Sequence, residues 1–149
     1  MKNTIFVRAF LAVMVALAVS CSPEKEPQEA TLDVTPNNIA GVWRLHSWSG
    51  GDIAEGAFVY IDFQRSDRTY TLYQSVDTHY VRTITGSYYI YTDAEEGAII
   101  RGNYDYGNGD WAHRYVVSDL TADRMVWTAL DNRNDVSVYV RSELPSFEE

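Results

Sequence analysis

The chain has 149 residues, a formal net charge of -9, one cysteine and 13% aromatic residues, with eleven tyrosines. That length accommodates one domain. The acidity argues against nucleic acid or an anionic lipid surface as a partner, since both need a basic footprint; solubility explains it more simply than a specific cationic partner. With Cys21 alone, an internal disulfide and a cysteine-built metal site are excluded, so stability has to come from a core.

In chain order, residues 1–20 come first. Lys2 and Arg8 open the segment, Ala9 to Val19 is an unbroken apolar run, and Ser20 is small. That layout is a secretory leader, too short for a spanning helix of about 20 apolar residues. Leu17-Ala18-Val19-Ser20-Cys21 resembles a bacterial lipobox, with Ala18 where the motif usually has Leu, as in relaxed versions found in the Bacteroidetes. The resemblance implies that Cys21 becomes the lipid-modified first residue, anchoring the protein to the outer membrane, on the periplasmic or the surface leaflet. Residues 21–38 then read as a disordered tether, with Pro23, Pro27 and Pro36 among Glu24, Glu26, Glu29 and Asp33. Fully extended, it spans about 50 Å. Its start, Ser22-Pro23-Glu24-Lys25-Glu26, loosely resembles the export signals of surface lipoproteins.

From Ile39 the pattern changes to runs of Val, Ile, Thr, Tyr and Trp separated by short polar or glycine-containing breaks. The predicted strands are Val42–Ser49, Phe58–Phe63, Arg68–Gln74, Thr83–Tyr91, Ile99–Tyr104, His113–Asp119, Arg124–Ala129 and Val136–Arg141. Breaks such as Asp93-Ala94-Glu95-Glu96-Gly97 and Asp131-Asn132-Arg133-Asn134-Asp135 carry turn residues. Short gaps make each strand the partner of the next. The expected fold is therefore all-β, an eight-stranded antiparallel up-and-down barrel over residues 39–144, followed by a C-terminal tail, 145–149. Period-two alternation places Trp43, Leu45, Ile61, Phe63, Tyr70, Leu72, Ile84, Gly86, Tyr88, Ile90, Ile100, Gly102, Tyr104, Tyr115, Val117, Met125 and Trp127 on the inner wall. Gly86 and Gly102 are expected to relieve crowding or let the strands bend.

These residues resemble a known family. Gly41-Val42-Trp43 opens the first strand. Gly86-Ser87-Tyr88 and Ile100-Arg101-Gly102-Asn103-Tyr104 look like the repeated strands of lipocalin-like lipoproteins of Bacteroidetes, and Tyr139-Val140-Arg141 looks like their closing strand. The resemblance spans residues 39–144 and implies the barrel and the envelope location far more than an activity. It also implies that Arg141 covers Trp43 as a cation–π lid closing the barrel base.

No catalytic apparatus is legible. His46, His79 and His113 lie on separate elements, and no Gly-x-Ser-x-Gly elbow exists. Asp105 and Asp110 share a loop that lacks the Asp-x-Asp-x-Asp-Gly spacing of a calcium site. We expect no enzyme, no cofactor and no metal. Two binding classes remain. In the first, Tyr70, Gln74, Tyr88, Tyr104, Tyr115 and Trp127 receive a small hydrophobic or amphipathic ligand in the barrel mouth, although a filled aromatic core explains the same rings equally well. In the second, Trp48, Tyr89, Tyr91 and Trp111 form an outer aromatic surface for an envelope protein, as in an interaction or inhibitor-like module.

Overall fold

The computed structural model describes residues 28–77 and 80–147. The expected leader, Cys21 and His79 lie outside them.

One helical turn, α1 (Pro36–Ile39), precedes nine strands: β1 (Gly41–Trp48), β2 (Gly51–Asp52), β3 (Phe58–Gln64), β4 (Thr69–Ser75), β5 (Arg82–Asp93), β6 (Gly97–Gly102), β7 (Tyr115–Ser118), β8 (Arg124–Ala129) and β9 (Val136–Arg141). Every neighbouring pair is antiparallel, and β1 pairs with β9, so β1 and β3 to β9 close an eight-stranded barrel. The additional strand, β2, extends the end of β1 through a hairpin in which Ser49 and Gly50 take φ of 51° and 79°. Two successive positive φ values match the right-handed twist of the flanking strands.

β5 turns a barrel corner. Its residues 82–87 pair with β4 and its residues 88–93 with β6. Gly86 sits at that corner because no side chain fits there: a Cβ would lie 1.9 Å from the Asn103 carbonyl oxygen. Strand alternation fills the interior with Trp43, Ile61, Phe63, Tyr70, Tyr88, Ile100, Met125, Trp127 and Tyr139, all buried. Trp127 stands at the centre, its ring 4.9 Å from Tyr139, 5.3 Å from Tyr115, 5.8 Å from Trp111 and 6.1 Å from Phe63.

One end of the barrel is shut. Thr35 caps α1 by accepting from the Asn38 amide at 3.2 Å, and Pro36 occupies the first turn, where its missing N–H costs nothing. Ile39 is thereby driven into the base, and its carbonyl accepts from the Trp43 indole at 2.8 Å. Arg141 lies over the Trp43 ring, 3.7 Å from its centroid. Its guanidinium donates to the carbonyls of Ala40, Asn38 and Ala122 at 2.6, 3.1 and 3.1 Å.

The structure departs from the sequence expectations in several places. The tether expected over 22–38 is docked at its later residues: Leu32 donates its amide to the Leu120 carbonyl at 2.7 Å, Val34 packs on the core, and α1 belongs to the barrel base. The C-terminal tail, of which the sequence reading sets only the bounds, packs on the barrel: Phe147 stacks on Tyr73 and Phe58 at 5.1 and 5.4 Å. β6 ends at Gly102 instead of Tyr104, because Asp105 and Tyr106 take φ of 45° and 55° and turn the chain away. Tyr104 is consequently 37% exposed at the rim and not part of the packed wall.

Candidate functional site

The end opposite the Trp43–Arg141 closure is open. Below it, the aromatic packing stops short of filling the barrel and leaves an inner cavity of about 130 Å³. Its walls come from the inward faces of several strands: Ile61 of β3, Leu72 of β4, Tyr115 of β7, Trp127 of β8, and Ser137 and Tyr139 of β9. Trp111, Ala112 and Tyr104, from the segment between β6 and β7, complete the ring. Leu72 and Tyr104 are shared with an outer vestibule of about 560 Å³, whose other walls are Gln74, Arg82, Thr83, Ile84 and Asp105. Gln74 and Arg82 are cross-strand neighbours on β4 and β5, so the rim chemistry follows directly from register.

The inner cavity is lined by aromatic rings with hydroxyls set among them, polar and apolar surface in nearly equal share. Burial pushes the Tyr115 phenol up to about 12, and burial likewise pushes Tyr139 upward. Both are neutral at physiological pH and are hydrogen-bond donors, not charges. The vestibule is polar and carries both signs, Arg82 and Asp105. Arg82 is exposed and takes part in no ion pair among the described residues. The arrangement offers a ring-lined slot for the buried end of a molecule and polar groups for its wet end, the usual anatomy of a small-molecule pocket.

The sequence candidates separate into groups. Tyr115 and Trp127 line the inner cavity, Gln74 the vestibule, and Tyr104 both. Tyr70 and Tyr88 do not reach either. Tyr70 is 1% exposed, and its hydroxyl donates to the Asn103 carbonyl at 2.8 Å. Tyr88 packs edge-on against Phe63 at 4.9 Å, deep in the barrel, with its hydroxyl 3.3 Å from the Gln64 carbonyl. Both are core residues, which corrects their placement in the mouth.

Trp111 is the largest correction. Expected on the outer surface, it is 7% exposed and folds into the barrel, where its indole donates to the Tyr70 hydroxyl at 2.8 Å. Gly102 makes the space: a Cβ there would lie 2.4 Å from the Trp111 ring. Ser137, Tyr139, Leu72 and Arg82 were also missed as site residues. Period-two alternation on β9 would have turned Ser137 and Tyr139 inward together, whereas Arg82 carries no such signal because it begins its strand.

The remaining outer aromatics stay outside. Trp48 is 58% exposed, with its indole donating to Asp135 at 2.6 Å. Tyr89 and Tyr91 stack at 6.0 Å and 26°, and Arg114 donates to the Tyr91 hydroxyl at 3.3 Å. Nearby, Arg101 pairs with Asp110 and His113 with Asp131, each at 2.8 Å; the His113 bond holds the Asp131 carboxyl below its ordinary range. Among the described residues no three His, Cys, Asp or Glu side chains converge as a metal site would require.

Against known proteins, a family model described as a lipocalin-like domain matches residues 39–127, from the buried base residue Ile39 to the central Trp127. No curated protein and no solved structure matches the chain.

Proposed function

The chain belongs to the family of lipocalin-like domains, and on that footing we propose that it is a noncatalytic binding protein that takes a small hydrophobic or amphipathic molecule at the barrel mouth. The observation that carries this reading is the pairing of an aromatic inner cavity of about 130 Å³ with a polar vestibule that opens beside it. A barrel filled by its own side chains would leave no such adjoining spaces. We further propose that the protein works from the bacterial cell envelope, tied to the outer membrane by lipid on Cys21. The supporting feature is the leader ending in Leu17-Ala18-Val19-Ser20-Cys21.

Native mass spectrometry of the Cys21→Ser protein, incubated with envelope extract, tests the binding reading. A discrete, saturable mass addition supports it; a bare mass from demonstrably folded protein counts against it. Incorporation of labelled fatty acid into the wild type, lost in Cys21→Ser, tests the anchor.

A second reading, an interaction or inhibitor-like module of an envelope complex, draws on the stacked Tyr89–Tyr91 pair and exposed Trp48. A triple alanine change at these positions should release a co-purifying partner while leaving the barrel intact.

A further inference from the structure

The inner cavity, at about 130 Å³, is close to the smallest useful size for an organic ligand. Apolar protein cavities of about 150 Å³ hold one benzene molecule. The floor gives no room for more. Phe63 and Tyr70 are each 1% exposed, Tyr88 is 3% and Trp127 is 4%, so the barrel below the cavity is packed solid. Decanoate carries more methylenes than the slot holds, and the surplus would have to lie in the vestibule against Gln74, Arg82 and Asp105.

The walls select further. Trp111, Trp127, Tyr115 and Tyr139 present ring faces and edges to the slot. Edge-to-face and offset contacts favour a flat aromatic guest beyond the area it buries. The Tyr115 phenol, kept protonated by burial, and the Ser137 hydroxyl open onto the same space. Above the slot, Arg82 supplies a cation not engaged by any carboxylate among the described residues, and Asp105 supplies an anion.

Resting on the reading of the mouth as a binding site, we infer that it selects a molecule with a single aromatic ring and a charged substituent, the ring seated against the wall that Trp111, Tyr115 and Trp127 share and the charge held in the vestibule, and that it rejects extended acyl chains. A carboxylate meets Arg82 and an ammonium meets Asp105, so an aromatic zwitterion satisfies both.

The test compares 3-phenylpropionate, phenylalanine and decanoate, each titrated into the Cys21→Ser protein while indole emission is recorded. The first and third share a carboxylate and differ only in the apolar part. Saturable emission changes with the two aromatic compounds, and none with decanoate at the same concentrations, are expected. In Arg82→Gln, affinity for 3-phenylpropionate should fall about tenfold, the value of one charge-assisted contact, with the fold undisturbed because Arg82 is exposed. Decanoate binding as tightly as 3-phenylpropionate overturns the inference and leaves the mouth standing as a site. Silence from both aromatic compounds also overturns it, while the envelope-extract measurement decides separately whether the mouth binds anything.

Discussion

The indole nitrogen of Trp111 donates to the hydroxyl of Tyr70 at 2.8 Å, and that hydroxyl donates in turn to the Asn103 carbonyl, also at 2.8 Å. This short relay pins the loop after β6 into the barrel and fixes one wall of the cavity. The indole bond is buried, so water cannot replace it. Tyr70→Phe leaves the Trp111 N–H and the Asn103 carbonyl without that partner and should cost about 2 kcal/mol in urea denaturation. Adding Trp111→Phe removes the orphaned donor, so the double variant should be less destabilised than the two single changes combined. Strict additivity would show that the relay is not the interaction that matters.

Gly102 accommodates the same indole. An added Cβ would stand 2.4 Å from the Trp111 ring, which is itself wedged against Tyr70 and Trp127 at 5.1 and 5.8 Å. Gly102→Ala must therefore push Trp111 outward and should destabilise the protein by about 1–3 kcal/mol. It should also collapse or reshape the inner cavity. Unchanged stability together with unchanged indole emission would refute the packing described here.

At the closed end, Arg141 acts through both its face and its edge. Its plane covers Trp43, and its nitrogens satisfy carbonyls of Asn38, Ala40 and Ala122. Lysine can keep the charge but not the planar fork. Arg141→Ala should cost about 2–3 kcal/mol, and Arg141→Lys should recover only a minor part of that. Full rescue by lysine would reduce the contact to simple charge over a ring.

Alkaline stability follows from the buried phenols. Burial raises Tyr70 and Tyr115 from an ordinary value near 10 to about 12. A raised folded-state value means that the native protein holds its phenolic protons longer than the unfolded chain does. Stability from these groups is therefore complete below pH 10 and is lost as pH rises from 10 toward 12. In an ultraviolet titration the Tyr70 and Tyr115 phenols should ionise only above the ordinary phenol range. Unfolding should coincide with the last phenols. A decline in stability that starts well below pH 10 and survives Tyr115→Phe would assign it to other groups.

The barrel was legible because strand alternation is a local signal. Ile61 with Phe63, and Met125 with Trp127, sit two apart and point inward as expected. The candidate site was legible where its residues belong to such strands, as with Tyr115, Trp127 and Gln74, and at Tyr104, two residues past the end of β6. Trp111 was misplaced because the preceding residues, 105–110, read locally as an exposed loop; its burial depends on the space at Gly102, across that loop, and on the hydroxyl of Tyr70, on β4. Tyr88 has the right face but the wrong height, and alternation carries no information about height along a closed barrel. Val34 and Leu32 dock through a backbone bond to Leu120 and packing on the core, which the acidic, proline-bearing composition around them concealed.

The last residues illustrate the same limit from the outside of the barrel. Phe58 and Tyr60 of β3 and Tyr73 of β4 point outward, and Tyr60 and Tyr73 are directly opposed across the ladder. Left open, such a patch would be a sticky surface. Phe147 covers it, at 5.4 Å from Phe58, 6.1 Å from Tyr60 and 5.1 Å from Tyr73. The segment reaches it from β9 through Pro145, which suits a strap that forms no ladder. Aromatic pairs are worth about 0.5–1.5 kcal/mol each beyond area, less the entropy of ordering the tail. Phe147→Ala should therefore cost only about 1 kcal/mol in urea, but it should expose the three rings and raise binding of a hydrophobic dye and the tendency to self-associate. Phe147→Leu should retain most of the cover and lose the ring stacking. If dye binding and sedimentation stay at wild-type levels in the alanine variant, the strap does not shield that face.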